Sequence, residues 1–413
     1  MSRRSLVFSY ALMLAAICLI LVEVPTVPAA AAAGGGPATG AGPSITQAAA
    51  GPDAGRGGRA GGAAPGPVWP QGPEPGVHDP VMIKAGDWYY LFRTQGLLNV
   101  MRSKDFITWD RVGYKVGDRD IYTVFADKPA WPAEIQPNRA DFWAPDISYH
   151  NGTYFLYYSV STFGSNRSGI GLATNKTLDP ASPDFKWEDH GVVIESQRSD
   201  YYNCIDPNAF FDRDGRAWLS FGSFYWNQGG GRSGVSANPE AATKGGVMLV
   251  ELDPQTGKIL PGATPQPIAS RAYPERAIEA PFIMRSGDWY YLFVSWDRCC
   301  AGLKSTYRIM VGRANKVTGP YLDQDGQNMA LGGGTQVLAG DGDRIIGPGH
   351  EGLMEEGTPG SSRHRWILLY HFYDGHTPNG TSKLQLRTVT FDTGWPVLGE
   401  VINKSNAAAQ AAR

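Results

Sequence analysis

Cysteine and charge are both scarce in this sequence of 413 residues. It has 4 cysteines, and Cys18 lies in an apolar N-terminal run, so the other three do not form the disulfide framework of a secreted protein. The adjacent Cys299 and Cys300 leave two alternatives open, a vicinal disulfide or two thiols. Charged residues make up 18% of the chain, with 37 Lys and Arg, 39 Asp and Glu and no basic stripe. This balance argues against nucleic acid as the main partner.

Long amphipathic runs of helical period are also hard to find, which argues against a helical fold. Aromatic residues are plentiful by comparison, at 11% of the chain with 12 Trp and 19 Tyr. A large core is therefore possible. Aromatic side chains without an excess of charge also suit a neutral, hydroxyl-rich ligand such as a sugar.

The N-terminus has the pattern of a secretory signal peptide. Two arginines precede an apolar run at residues 6–22, and small residues follow it, which predicts a signal peptide over residues 1–33. The run is nearly long enough to span a bilayer, so an uncleaved membrane anchor is the alternative. Residues 34–75 are almost wholly Gly, Ala and Pro and predict a disordered linker. We expect the folded domain at residues 76–402 and a C-terminal tail at 403–413.

A hairpin pattern recurs along the folded part of the chain. The heptapeptide GDWYYLF occurs at residues 86–92 and again at 287–293, each time as a turn followed by an aromatic strand. Related text surrounds the turns Asn151-Gly152 and Asp214-Gly215, and a looser copy is SSRHRWILLYHFY. The five equivalent positions, 63 to 77 residues apart, are Trp88, Thr153, Arg216, Trp289 and Trp366.

Repeats of this length leave room for about four strands of ~5–6 residues each with their loops. Four-stranded units repeated around an axis form a β-propeller with a central channel. A pair of β-sandwiches is the alternative, but it would not explain one recurrent hairpin. The sequence therefore predicts an all-β fold, a five-bladed β-propeller with the active site at the mouth of its channel.

An acidic residue precedes each of the first four hairpins. These acids are Asp79 in VHDP, Asp146 in WAPD, Asp206 in CIDPN and Glu279 in IEAP. Asp beside Pro is common in turns, so a single instance would not indicate a functional site. Four acids at apparently equivalent places, each at the start of an innermost strand, predict carboxylates that converge at one mouth of the channel.

Converging carboxylates in an aromatic-rich channel suit either a bound cation or glycoside hydrolysis. Hydrolysis needs one protonated carboxyl group for the leaving oxygen and one ionised carboxylate that activates water. A third carboxylate beside the acid raises its pKa by like-charge repulsion. The number of acids and the absence of a D-x-D-x-D loop favour hydrolysis over a cation cage.

The residues around these acids resemble glycoside hydrolase family forty-three. The resemblance is carried by VHDPVMIKAGDWYYLF, FWAPDISYHNGTYFLYYSVSTFGSNRSGIGLAT, NCIDPNAFFDRDG and IEAPFIMRSGDWYYLFVS. The segments WDRCCAGLKSTYRIMVGRA, GGGTQVL, IGPGH and GWPV are similar to the endo-α-1,5-L-arabinanases of that family. The resemblance covers roughly residues 76–400 and implies a five-bladed propeller, in agreement with the repeats.

Family roles transfer to three acids. By this resemblance Asp79 is the general base, Glu279 the general acid and Asp206 the carboxylate that tunes and orients the acid. The family usually has Glu-Gly-Pro where this chain has Ala280 after the acid. The family is inverting, so we expect the carboxyl groups of Asp79 and Glu279 to be separated by roughly 6.5–9.5 Å, and not by the roughly 5 Å of retaining enzymes.

The resemblance also implies a metal and substrate contacts. His350 in IIGPGH matches a histidine that holds a central cation, often calcium, largely through water molecules. Histidine is a soft ligand for calcium, so a different cation is the alternative. Simple core packing is the alternative for each of the expected substrate-binding residues, which are His78, Trp143, Asp146, Phe163, Asn203, Cys204, Ile205, Asn208, Ser223 and Phe224.

The sequence as a whole predicts a secreted or periplasmic, inverting endo-arabinanase that cuts α-1,5 links within arabinan or arabino-oligosaccharides. The first alternative keeps the mechanism in an exo-acting α-L-arabinofuranosidase or β-xylosidase. The second is a non-catalytic carbohydrate-binding propeller, which would have little reason to retain all three acids. We expect a monomer with no nucleic-acid partner and no membrane contact beyond a possible N-terminal anchor.

Overall fold

Five four-stranded antiparallel sheets make up the folded chain, which confirms the predicted five-bladed β-propeller. The computed structural model describes residues 76–138, 140–223, 245–271, 277–357 and 364–403. The expected signal peptide, the linker, the tail beyond residue 403 and Phe224 lie outside these residues. Within the described part, no helix has the length and apolar character needed to cross a bilayer.

The strands follow one another blade by blade along the chain. The first blade contains β1 (Val81–Ala85), β2 (Trp88–Arg93), β3 (Asn99–Ser103) and β4 (Asp110–Arg111). A small hairpin, β5 (Tyr114–Val116) with β6 (Arg119–Ile121), and a short helix, α1 (Pro132–Ile135), come next. The second blade contains β7 (Asp141–His150), β8 (Thr153–Ser161), β9 (Ser168–Asn175) and β10 (Glu188–Ser196).

The remaining blades repeat this plan. The third contains β11 (Asn208–Phe211), β12 (Ala217–Phe221), β13 (Val247–Leu252) and β14 (Gln266–Ala269). The fourth contains β15 (Ile278–Ser286), β16 (Trp289–Trp296), β17 (Arg308–Ala314) and β18 (Thr335–Leu338), with 3₁₀ turns at Gly302–Lys304 and Met329–Leu331. The fifth contains β19 (Ile345–Glu356), β20 (Arg365–Asp374), β21 (Thr381–Thr390) and β22 (Val397–Val401).

The duplicated heptapeptide forms the same hairpin in the first and fourth blades. Ala85 pairs with Trp88 and Ser286 pairs with Trp289, which leaves a two-residue Gly-Asp turn in each. The turn glycines have φ of 57° at Gly86 and 60° at Gly287, a conformation that costs glycine least. The turn chemistry therefore fixes the register of these two blades.

The first strand of every blade lies innermost, because β1, β7, β11, β15 and β19 contact one another around the channel. Apolar cores fill the spaces between neighbouring blades. Between the last and first blades, for example, Leu369 and Leu384 pack with Leu91 and Met101, and all four are fully buried. All four described strands of the fifth blade come from the C-terminal part of the chain, and none comes from the N-terminal part. The ring is therefore closed by side-chain packing between the fifth and first blades.

Each blade has one residue with left-handed backbone at its innermost strand. These five kink residues are Asp79 (φ 48°), Ala144 (φ 45°), Asp206 (φ 56°), Ala280 (φ 53°) and His350 (φ 49°). Left-handed backbone is unfavourable for residues other than glycine, so surrounding contacts must hold it. In the first four blades the next residue is proline, and in the fifth it is Glu351.

Side-chain hydrogen bonds hold the kinks. In four blades the N–H of the kink residue donates to a side chain on or just after the second strand of the preceding blade. The pairs are Ala144 N to Thr94 Oγ1 (2.7 Å), Asp206 N to Ser159 Oγ (2.9 Å), His350 N to Ser295 Oγ (2.8 Å) and Asp79 N to His371 Nδ1 (3.2 Å). The third blade has Gly222 at this position, where a Cβ would overlap the carbonyl oxygen of Gly246. The carboxylate of Asp206 replaces the missing side chain and accepts from Ala280 N at 3.1 Å.

Candidate active site

The sequence suggests that the four acids occupy equivalent positions in their blades. In the structure they converge on the channel, but their positions relative to the kinks differ. Asp79 and Asp206 are kink residues, Glu279 precedes its kink by one residue, and Asp146 follows its kink by two. Side-chain direction alternates along a strand and changes again at a kink. These offsets therefore give each carboxyl group a different environment.

Asp79 is surrounded by hydrogen-bond donors. Its Oδ1 lies 2.8 Å from His78 Nδ1 and 3.2 Å from His350 Nδ1, and its Oδ2 accepts from Thr94 Oγ1 at 2.7 Å. Burial alone would raise the pKa of Asp79, but the charge and hydrogen bond of His78 bring it well below the usual range. Burial lowers the pKa of His78, but the Asp79 carboxylate outweighs it and raises that pKa above its ordinary value. Asp79 is therefore an ionised carboxylate at neutral pH.

The pKa of Glu279 is shifted in the opposite direction. Its side chain is buried, and the hydroxyl of the fully buried Tyr307 donates a hydrogen bond to its Oε1. Burial raises the pKa of Glu279 to about 7, the Tyr307 bond lowers it in part, and the negative charge of Asp79 raises it. Glu279 can therefore carry a proton near neutral pH, which is what a general acid requires.

Asp206 interacts electrostatically with both other acids. Burial raises its pKa well above the ordinary value, and the charges of Glu279 and Asp79 add to this effect. Because its Oδ2 accepts from Ala280 N, its carboxyl group also fixes the backbone next to Glu279. Asp206 therefore acts on the acid through position, by fixing the backbone of Ala280.

Asp146 ties two blades together. Its oxygens accept from Asn208 Nδ2 at 3.2 Å and from Ala209 N at 2.8 Å, both in the third blade. Burial raises the pKa of Asp146 to about 7. Asn208 is itself fully engaged, because its Oδ1 accepts from Ile283 N at 2.8 Å in the fourth blade. These contacts give both residues a structural role, and their expected contact with substrate stays a prediction.

The other expected substrate residues divide into two groups. His78 and Trp143 are half-buried beside the kinks, and Phe163, with 59% of its surface exposed, follows β8 at the same end of the blade. Asn203, Ile205 and Ser223 are buried near Asp206. The side chain of Cys204 is fully buried in the apolar core between the second and third blades, so its thiol is a packing group in this structure.

Sequence reasoning missed the residues that hold the acids. They are Thr94, Tyr307, His371 and Tyr373, none of which is next in sequence to Asp79, Asp146, Asp206 or Glu279. One signal was present, because Thr94, Ser159 and Ser295 each follow their hairpin position by six residues. A hydroxyl recurring at one place in successive repeats indicates a repeated hydrogen bond.

Two sets of residues offer metal ligands. The ligand atoms of His78, Asp79 and His371 lie within 4.8 Å of one another. Asp79 already occupies Nδ1 of both histidines, whereas the buried Nε2 of His371 has no hydrogen-bond partner among the described residues. A better donor set lies deeper, where Glu351 and His350 line a small cavity in the channel. Glu351 is 3% exposed, and its Oε1 has no hydrogen-bond partner among the described residues. With Nδ1 of His350 facing Asp79, its Nε2 and Oε1 of Glu351 are the atoms with which these two residues could contact a cation.

Two carboxyl groups at the channel of a five-bladed propeller, with pKa values shifted in opposite directions, are the arrangement that a glycoside hydrolase requires. The comparison with known proteins agrees, since the family described as "Glycosyl hydrolases family 43" matches residues 74–396. The chain belongs to this family.

Its relatives include enzymes with two modes of cutting. An extracellular exo-α-(1→5)-L-arabinofuranosidase of Cellvibrio japonicus is 39% identical over 343 residues, covering 78% of this chain and 86% of that protein. An extracellular endo-α-(1→5)-L-arabinanase of Bacillus subtilis is 39% identical over 326 residues, covering 78% and 87%. The solved structure of a Cellvibrio cellulosa α-L-arabinanase complexed with arabinohexaose has a TM-score of 0.66 and 38% identity, covering 78% and 95%.

Proposed function

We propose that this chain is an endo-arabinanase that hydrolyses α-1,5-L-arabinofuranosidic linkages within arabinan by a single, inverting displacement. The observation that carries the proposal is a pair of carboxyl groups in one channel with opposite surroundings: Asp79 accepts from His78 and Thr94, which lowers its pKa, and Glu279 is buried beside Tyr307, with its pKa raised. The substrate class is supported by the relatives, whose names specify (1→5)-linked arabinose.

In this mechanism Asp79 takes a proton from the attacking water. Thr94 and His78 keep its carboxylate ionised and oriented by donating to Oδ2 and Oδ1. Glu279 gives its proton to the leaving oxygen, and because Tyr307 donates to Oε1, that proton resides on Oε2. Burial and the charge of Asp79 favour the protonated form of Glu279 until the transfer, and Asp206 holds the backbone beside it through Ala280 N.

Substitution of the acid distinguishes an enzyme from a binding protein. Glu279→Gln should lose nearly all turnover of linear arabinan and still bind arabino-oligosaccharides, because the amide keeps the shape and removes the transferable proton. Glu251→Gln is a matched control, since Glu251 pairs with Arg216 on the third blade. Retention of full activity by Glu279→Gln would refute its role as the acid. Proton NMR of early products tests inversion, which should give the β-anomer first.

Exo action is the second candidate, because one relative with 39% identity is named an exo-acting enzyme. Endo action needs a groove open at both ends, which the loops between strands decide, and the loop at residues 224–244 lies outside the described residues. A rapid fall in arabinan viscosity with a ladder of oligosaccharides would support the endo assignment. Monomer alone from the first time point would support exo action, with the acids keeping their roles.

We further propose that the central channel holds one cation, with calcium as the first candidate. His350 Nε2 and Glu351 Oε1 would hold it together with water molecules, and it would supply positive charge beneath the carboxylates. Removal of calcium with EDTA should lower the melting temperature, and added calcium should restore it. At 100 times its dissociation constant, calcium should raise the free energy of unfolding by ~2.7 kcal/mol. Glu351→Gln should abolish this response. No metal by elemental analysis and no response to calcium would exclude the site.

Secretion and a monomeric state complete the proposal. Two relatives are named extracellular, and the N-terminal sequence has the pattern of an export signal. N-terminal sequencing of protein recovered outside the cytoplasm should begin after residue 29. Light scattering should give the mass of one chain, and a mass of two chains would refute the monomer.

A further inference from the structure

Cys299 and Cys300 form a vicinal disulfide, which resolves the alternative that the sequence left open. The pair lies in the turn that leaves β16 of the fourth blade, with Cys300 exposed and Cys299 half-buried. Cys300 has a φ of 63°, a left-handed conformation that is unfavourable for cysteine. Closing the two side chains into a small ring restricts the backbone of this residue and so fixes the direction of its N–H.

The N–H of Cys300 begins a chain of hydrogen bonds that ends at the proposed base. It donates to the hydroxyl oxygen of Tyr373 at 2.8 Å. That hydroxyl lies 2.9 Å from His78 Nε2, and His78 Nδ1 lies 2.8 Å from Asp79 Oδ1. The disulfide turn of the fourth blade is therefore connected, through the fifth blade, to the carboxylate of the first.

Other contacts hold the loop that carries the turn, so the disulfide is not its only anchor. Thr306 N donates to Arg298 O at 2.8 Å, and Ala301 N donates to Ser305 Oγ at 3.1 Å. Gly302 packs against the backbone of Asn379 so closely that a Cβ would overlap its carbonyl oxygen. Loss of the disulfide should therefore leave the loop in place and release chiefly the backbone of Cys300.

We propose that the Cys299–Cys300 turn, acting through Tyr373, is a positioning element for Asp79, so that the oxidised protein is the fully active form. The inference rests on the proposed function. Tyr373 fixes the ring of His78, and His78 in turn fixes the carboxylate that activates water. Reduction by a dithiol converts the disulfide to two thiols with two electrons and two protons, and the dithiol becomes its own disulfide.

The test compares oxidised and dithiothreitol-reduced protein on linear arabinan, with alkylation and mass spectrometry to verify each state. Reduction should lower kcat about three- to tenfold, the effect of one weakened hydrogen bond, and leave KM unchanged. The double variant Cys299→Ser/Cys300→Ser should show the same loss and no response to the reductant. An unchanged melting temperature would show that folding is intact.

A double-mutant cycle tests the route through Tyr373. Tyr373→Phe should lower kcat to a similar extent, and its combination with Cys299→Ser/Cys300→Ser should cause no further loss. Tyr370→Phe, in the same strand but bonded to Gln385, is the matched control and should retain kcat. Additive losses, or a rise in KM at constant kcat, would overturn the proposal, the latter because the sulfurs would then be a substrate contact.

Failure of the proposed function can be separated from failure of this inference. If the oxidised wild-type protein turns over neither arabinan nor aryl arabinofuranosides, the proposed function is wrong. The imidazole chemical shifts of His78 at fixed pH then report the coupling without any substrate. Reduction should move them, and the double serine variant should reproduce the reduced values. Unchanged shifts in both cases would overturn the coupling.

Discussion

The hydroxyl of Tyr307 should set the upper pH limit of activity, and Tyr307→Phe tests this directly. Glu279 must be protonated to act, so kcat should fall as the pH rises through its pKa of about 7. The Tyr307 hydrogen bond favours the ionised form and so lowers that pKa. Removing the bond should therefore raise the pKa and extend activity to higher pH.

The size of the shift follows from the chemistry of the bond. A hydrogen bond to a charged group contributes about 1.5–3 kcal/mol, which corresponds to roughly one to two pKa units. The alkaline limb should then move from near pH 7 to about pH 8–9. Asp79, Asp206 and His78 also face Glu279, and they remain unchanged in the variant. The ring should keep its place, because it packs tightly against Gly349.

The assay is kcat on arabino-oligosaccharides between pH 5 and 10, with melting temperature as a check on folding. Tyr321→Phe is the control, because that buried tyrosine donates to the carbonyl oxygen of Val317 and not to a carboxylate. Its alkaline limb should match that of the wild-type protein. A limb that stays in place or moves to lower pH in Tyr307→Phe would refute the assignment of Glu279 as the acid tuned by Tyr307.

Three further predictions concern stability, each measured by urea denaturation. Ala280→Gly should stabilise the fold by about 0.5–1 kcal/mol, because glycine tolerates the φ of 53°, and a loss of stability would contradict the strain argued for the kink. Wild-type stability should fall from about pH 4 to 7, since native Asp146, with its pKa of about 7, retains a proton that the unfolded chain has lost. Asp146→Asn should weaken that pH dependence and lower the free energy of unfolding by about 1 kcal/mol, because the bond from Ala209 N is lost. If the stability of the variant plotted against pH ran parallel to that of the wild-type protein, the reasoning would be refuted. Leu369→Ala should cost about 2–5 kcal/mol by opening a cavity between the last and first blades, and a cost below about 1 kcal/mol would show that the ring is not closed there by packing.

The blade count could be predicted from the sequence because the hairpin turns are local. Glycine at the turn and aromatic residues in the next strand lie within a few positions of each other. The fifth copy was aligned one residue late, since Arg365 and not Trp366 ends its hairpin opposite Glu356. That hairpin has a longer connection, through residues 358–363, and lacks the short Gly-Asp turn that aligned the other copies.

The environment of each acid could not be predicted, because it depends on residues far away in the chain. Tyr307 follows Glu279 by 28 positions, and Tyr373 follows His78 by 295. The one-residue offset of Glu279 from its kink is visible in IEAP, where Ala280 separates the acid from Pro281, but the direction in which the kink turns the side chain is not. Only the packing of blades around the channel brings these groups together.

The ring of kink residues has a consequence for which sugars the channel admits. The N–H groups of all five kinks are already bonded to side chains, and in four blades the next residue is proline, which has no N–H. A uronic acid entering here would bring a negative charge toward several carboxyl groups and find these amides occupied. We therefore expect a uronic acid to bind here less well than an uncharged sugar, because Asp79 is ionised and the kink N–H groups are not free to bind a carboxylate.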